Sequence, residues 1–116
     1  MLRDLSLLQD ILEACALIEE YMTDVSYDEF DASYARQDSV IRRIAIIGEA
    51  ANHLSKGFKA NLPDIPWRDI VDMRNILIHA YNDIITEEVW QVATRDTPAL
   101  AKRLKPFLDE MSTGSL

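Results

Sequence analysis

The stretch RNILIHAY, residues 74–81, sets Arg74, His79 and Tyr81 into an otherwise apolar run. These are costly groups to place in the segment that looks most like core. Held rigidly there, the arginine would be an electropositive group able to bind phosphate. Each has a structural alternative. Arg74 could sit in a buried salt bridge, with Glu49 as the obvious partner. His79 could be a solvated surface histidine, and Tyr81 an amphipathic core residue.

On a helical wheel of about 100° per residue, Arg68, Asp69, Asp72, Asn75, His79, Asn82 and Asp83 share a polar arc. Arg74 falls instead in the apolar arc, flanked by Val71, Leu77 and Ile78. An unpaired buried charge is costly, so Arg74 must be paired, face a polar cleft or lie at a subunit interface. His79 lies about 140° around the helix from Arg74. For the two to serve one site, the helix must distort near His79 or a second chain must complete the site. Arg74 and Tyr81, seven apart, share a face.

Helices must position these groups. Leu5, Leu8, Leu12, Cys15, Ile18 and Met22 recur at steps of three and four, predicting a helix over 3–23. Ser26-Tyr27-Asp28-Glu29 is a capping box opening a short second helix. A long third helix is expected over 35–56, ending near Gly57. Within it Ala45, Gly48 and Ala51 form a small-residue strip, suited either to packing within the chain or to a subunit contact. NLPDIPW, residues 61–67, breaks the chain, with Pro66 in the first turn of a fourth helix over 66–80. A last helix over 86–110 should be kinked or divided by Pro98, before a frayed tail. The expected fold class is all-α: a small antiparallel bundle of four to five helices, one domain over residues 1–116.

Composition narrows the function. The chain has 116 residues, 48% hydrophobic, and a net charge of −8. That charge argues against broad adhesion to nucleic acid or anionic membrane, though a local basic site remains possible. Arg36, Arg42, Arg43, Lys56, Lys59, Arg68 and Arg95 could supply such a rim. Cys15 is the single cysteine, which excludes an intramolecular disulfide and reads as a buried thiol. His53 and His79 are too few for a histidine metal site, and no HExxH pattern, glycine-rich phosphate loop or nucleophile elbow occurs. No metal or cofactor is expected. His53 is read as structural or as a neighbour of the same cleft. The N-terminal residues mix charge with apolar side chains, unlike a signal peptide, and no apolar run reaches membrane-span length. A soluble cytoplasmic setting is the expectation.

The RNxxxHxY arrangement of Arg74, Asn75, His79 and Tyr81 resembles that of the HEPN superfamily. It is most similar to the HepT-like toxins of type VII toxin–antitoxin systems, whose partners are MNT-type nucleotidyltransferase antitoxins. IIGEAA (46–51), IPW (65–67), MRN (73–75) and Val89-Trp90 extend the likeness over nearly the whole chain. The resemblance implies a metal-independent endoribonuclease acting on tRNA or mRNA as a homodimer, with the two motif helices lining one cleft. It implies His79 as general acid or base around the 2′-hydroxyl, Arg74 stabilising the transition state, and Asn75 orienting phosphate or histidine. It also implies Tyr81 as the acceptor of AMP from the antitoxin. The alternative is a catalytically silent helical subunit that binds a nucleotidyltransferase, its motif serving dimer packing.

Overall fold

The computed structural model describes residues 2–79 and 85–112, with the side chains of 2, 75–79 and 112 outside that description. It is an all-α bundle: α1 (Leu2–Met22), α2 (Tyr27–Asp31), α3 (Tyr34–His53), α4 (Lys56–Ala60), α5 (Trp67–His79), α6 (Thr86–Gln91) and α7 (Thr97–Ser112). Among the described residues no helix is long and apolar enough to cross a membrane.

The apolar period of α1 does build the core, but the face is turned slightly from the expected one. Leu8, Ile11, Cys15 and Ile18 are buried, whereas Leu5, Leu12 and Met22 are only partly covered. Burial pushes the Cys15 thiol up to about 12, as a desolvated thiolate requires. Thr23 and Asp24 end the helix. The Thr23 hydroxyl donates to the Glu19 carbonyl at 2.8 Å, and Asp24 takes the left-handed φ of 57° that a short polar residue tolerates.

α3 lies between α1 and α5, antiparallel to both, and α7 packs on the other flank of α1. Its buried face, Val40, Ile44, Ile47 and Ala51, joins α1 and Leu104 of α7 in one cluster. The capping box of α2 forms as expected: the Glu29 amide donates to the Ser26 hydroxyl at 3.1 Å, and the Ser26 amide reaches back to Glu29. Gln37 then donates to the carbonyls of Phe30 and Asp31 at 2.9 and 3.0 Å, closing the other end.

The third helix is shorter than its sequence suggested. It ends at His53, and Gly57 lies inside the separate helix α4. Ser55 is the cause. Its amide and hydroxyl both donate to the buried Asp4 carboxylate, at 2.9 and 2.7 Å, so its amide leaves the α3 ladder. The same hydroxyl accepts from the Phe58 amide at 3.1 Å and caps α4. The Ala51 carbonyl at the end of α3 is taken up by Lys59 Nζ at 3.1 Å.

Pro98 acts as expected, with a more specific outcome. Residues Val92–Asp96 form a π turn between α6 and α7. The Thr97 amide bonds back to the Val92 carbonyl, five residues away. That choice and the missing Pro98 N–H leave the Ala93 carbonyl without an amide donor. The Thr97 hydroxyl, fully inside the protein, donates to it at 3.2 Å. Pro106 sits within α7, where the carbonyl it leaves unbonded belongs to exposed Lys102. Of the tail expected to fray, residues 111–116, the first two continue α7, and 113–116 lie outside the described residues.

Candidate active site

α5 begins where the two prolines of NLPDIPW stop a helix. The Leu62 carbonyl gathers the loop, accepting from the Ile65 amide at 3.2 Å and from the Trp67 indole N–H at 3.2 Å. The Pro66 carbonyl then accepts from Ile70 at 3.0 Å, the first bond of the helix. From there α5 runs unbroken through Asn75 to His79. A distortion of the helix upstream of His79 is therefore excluded as the means of bringing Arg74 and His79 together.

The small-residue strip packs within the chain at Gly48. A Cβ there would lie 3.0 Å from Arg74 Cβ and 3.1 Å from the Ile70 carbonyl oxygen. Glycine lets α3 and α5 approach closely just where Arg74 leaves its helix. Ala51 is fully buried in the same bundle.

Arg74 is about a quarter exposed, at 25%, and its Nη1 pairs with Glu49 Oε2. The pairing with Glu49 weighed from sequence is thus formed, but at the surface rather than buried, since the Glu49 side chain is 56% exposed. It uses one of the guanidinium's five N–H donors, so the pairing leaves most of the fork for another acceptor. Glu49 also meets His53, Oε1 to Nε2 at 2.9 Å, and His53 Nδ1 lies 3.4 Å from Arg3 Nη2. An imidazole protonated on Nε2 satisfies both contacts, donating to Glu49 and accepting from Arg3. The hydrogen bond with His53 holds the Glu49 carboxyl below its usual value, working against partial desolvation, and Arg74 adds to the lowering. One cation from α5 and an imidazole from α3 therefore share one ionised carboxylate, and Arg3 of α1 joins them through the imidazole.

His53 belongs to this polar cluster, joined to Arg74 through Glu49. Arg3, fifty positions from His53, gave no signal in the sequence beyond being an ordinary charge in the first turn of α1. The backbones of Asn75 and His79 lie on α5, but their side chains are outside the described residues, and so is Tyr81 altogether. The expected basic rim is only partly assembled. Lys56, Lys59 and Arg68 line one groove beside α5, whereas Arg36 donates from Nε to the Tyr21 carbonyl at the far end of α1.

Residues 11–107 match the family model described as Ribonuclease HepT-like. The chain belongs to the HepT-like ribonuclease family. Membership of that family places it among the endoribonucleases. Among similar proteins is the "Probable ribonuclease HepT" of Thermococcus cleftensis, 40% identical over 80% of this chain and 84% of that protein. A candidate RNase of Methanocaldococcus jannaschii is 36% identical over 84% of this chain and 90% of its own length. A second protein of that organism, named as a gamma-glutamylcyclotransferase and candidate RNase, is 40% identical over 90% of this chain. The HepT-like chain spans only 47% of that longer relative. No solved structure gives a significant match.

Proposed function

We propose that this HepT-like chain is the toxin of a toxin–antitoxin pair, a cytoplasmic, metal-independent endoribonuclease that cuts RNA by attack of a ribose 2′-hydroxyl. The observation that carries the reading is Arg74: a cation fixed by an unbroken helix, closely backed by Gly48, in the family that its sequence pattern anticipated. A donor already in place when charge develops on phosphorus needs no reorganisation during the reaction.

In this mechanism the 2′-oxygen bonds to phosphorus as the bond to the 5′-oxygen breaks, leaving a 2′,3′-cyclic phosphate and a 5′-hydroxyl. His79 takes the 2′ proton, and a second copy of His79, from the other chain of a homodimer, supplies a proton to the leaving oxygen. Arg74 stabilises the extra negative charge on the phosphorane-like transition state, and Asn75 orients phosphate or imidazole. The continuous course of α5 supports the dimer, because one helix carries Arg74 and His79 on positions about 140° apart. Residues 1–116 act as one domain in this reading. An MNT-type nucleotidyltransferase silences the enzyme by moving AMP from ATP onto the Tyr81 hydroxyl, with pyrophosphate leaving. The added charge and bulk beside the motif exclude RNA.

The test compares wild type with Arg74→Ala, His79→Ala and Tyr81→Phe, by growth arrest on expression and by cleavage of RNA in vitro. Arg74→Ala and His79→Ala should each lose roughly 10²-fold or more in cleavage rate while keeping the wild-type fold. Tyr81→Phe should stay toxic and resist the transferase. A wild type that neither arrests growth nor cuts RNA would leave the silent-subunit alternative instead.

A further inference from the structure

A groove of about 480 Å³ runs between the end of α3, α4 and the first turns of α5, lined by Asn52, Lys56, Lys59, Trp67, Arg68 and Asp72 among others. Its charge departs from that of the chain. Three cations face one carboxylate in a protein with 12 basic and 20 acidic residues. Two lining groups are held in place. Lys59 Nζ is fixed on the groove wall by its bond to the Ala51 carbonyl. Trp67 donates its indole N–H to Leu62 and meets the Phe58 ring at 6.4 Å, yet remains only half-buried. Lys56, Arg68 and the Asn52 amide are exposed.

The position is as telling as the chemistry. Val71, also in the lining, lies three residues before Arg74, so about 4.5 Å along the axis of α5. Asn52 adjoins His53 and stands one turn beyond Gly48 on α3. The groove thus opens about one helical turn from the Arg74–Glu49–His53 cluster. Fixed cations beside a positioned aromatic ring and an amide are what single-stranded nucleic acid requires, its phosphates meeting charge and its bases an apolar face.

We propose that this groove is a subsite for single-stranded RNA flanking the cut, with Lys56, Lys59 and Arg68 holding a phosphate one or two nucleotides from the scissile bond and Trp67 with Asn52 receiving a base. The proposal rests on the ribonuclease reading. It also explains how an acidic chain can hold RNA: the attraction is confined to a lane beside the reacting phosphate, and the rest of the surface repels other segments.

The experiment measures binding of a fluorescent 2′-O-methyl RNA octamer, which cannot be cut, by the intact protein across a salt series. The Lys56→Ala/Arg68→Ala variant should bind roughly tenfold more weakly. Its dependence of log K on log salt should flatten by about 1.4, since each contact to a single strand contributes about 0.7. Lys102→Ala/Lys105→Ala, the same charge change on exposed positions of α7, should match wild type. Melting curves confirm that both variants fold. Equal affinity and slope in the two double variants would overturn the proposal. So would unchanged RNA affinity with lost neutralisation by a nucleotidyltransferase, which would make the groove a protein interface. Cleavage is scored separately: a wild type that binds the octamer through this groove but cuts no RNA would sink the ribonuclease reading and leave the subsite standing.

Discussion

Single side chains here do two jobs at once, and Asp4 shows it best. Its carboxylate ties the first turn of α1 to Ser55, ends α3 and so allows α4 to begin. Burial by itself would raise the Asp4 pKa, but the two hydrogen bonds from Ser55, together with nearby positive charge such as that of Arg3, leave the group below its ordinary 3.8. A depressed carboxylate contributes stability that is complete above the unfolded value and is lost as pH falls through the folded one. Asp4→Asn should therefore destabilise the protein by about 1–3 kcal/mol at neutral pH, as for hydrogen bonds to a charged group. Thermal melts of both proteins at pH 7 and at pH 2 check this, and the gap should narrow in acid. An equal gap at both would deny the carboxylate its role. None of this was legible in the sequence, because Asp4 and Ser55 are 51 positions apart and each looks ordinary alone. The Arg74–Glu49 pair was legible, since a charge in an apolar arc demands a partner and Glu49 was the acid available on the neighbouring helix.

At the level of elements, period and punctuation carried most of the information. The amphipathic repeat of α1, the Ser26 capping box and the proline break before α5 each led to the element found there. The sequence failed at the end of α3 because glycine is the commoner stop signal, and a serine held by a distant carboxylate won instead. The face of α1 was misjudged by one position because Ile11 and Leu12 are both apolar and only the partner helices choose between them. α3 and α5 meet at Gly48, where an added methyl would crowd backbone as well as the Arg74 side chain. Gly48→Ala should cost about 1–3 kcal/mol, the usual penalty for overpacking, and should also lower RNA cleavage by shifting Arg74. Denaturant melts and cleavage rates on the same samples test both halves. A variant of full stability and activity would show that the two helices can part freely.

For the molecule as a whole, acidity and the proposed dimer pull in opposite directions with salt. Two chains of −8 repel, and screening relieves that repulsion, whereas RNA affinity falls as counterions compete. The dimer can be examined directly by mixing chains. If the cleft takes its base and its acid from the two copies of His79, a mixed dimer of wild type with His79→Ala should lose cleavage by roughly 10²-fold or more, as the His79→Ala homodimer does. Half of the wild-type rate in a purified mixed dimer would mean instead that each chain supplies a complete site by itself.

The π turn at Val92–Asp96 bears on how this architecture tolerates change in length. A turn of that kind holds one residue more than an α turn, so losing one residue there can be absorbed by tightening the coil, with α6 and α7 keeping their inward faces. A loss within α3 has no such slack: every later side chain of that helix would rotate by about 100°, carrying Gly48 and Glu49 away from Arg74. Relatives that differ by one residue in this part of the chain can thus share one core and one polar cluster.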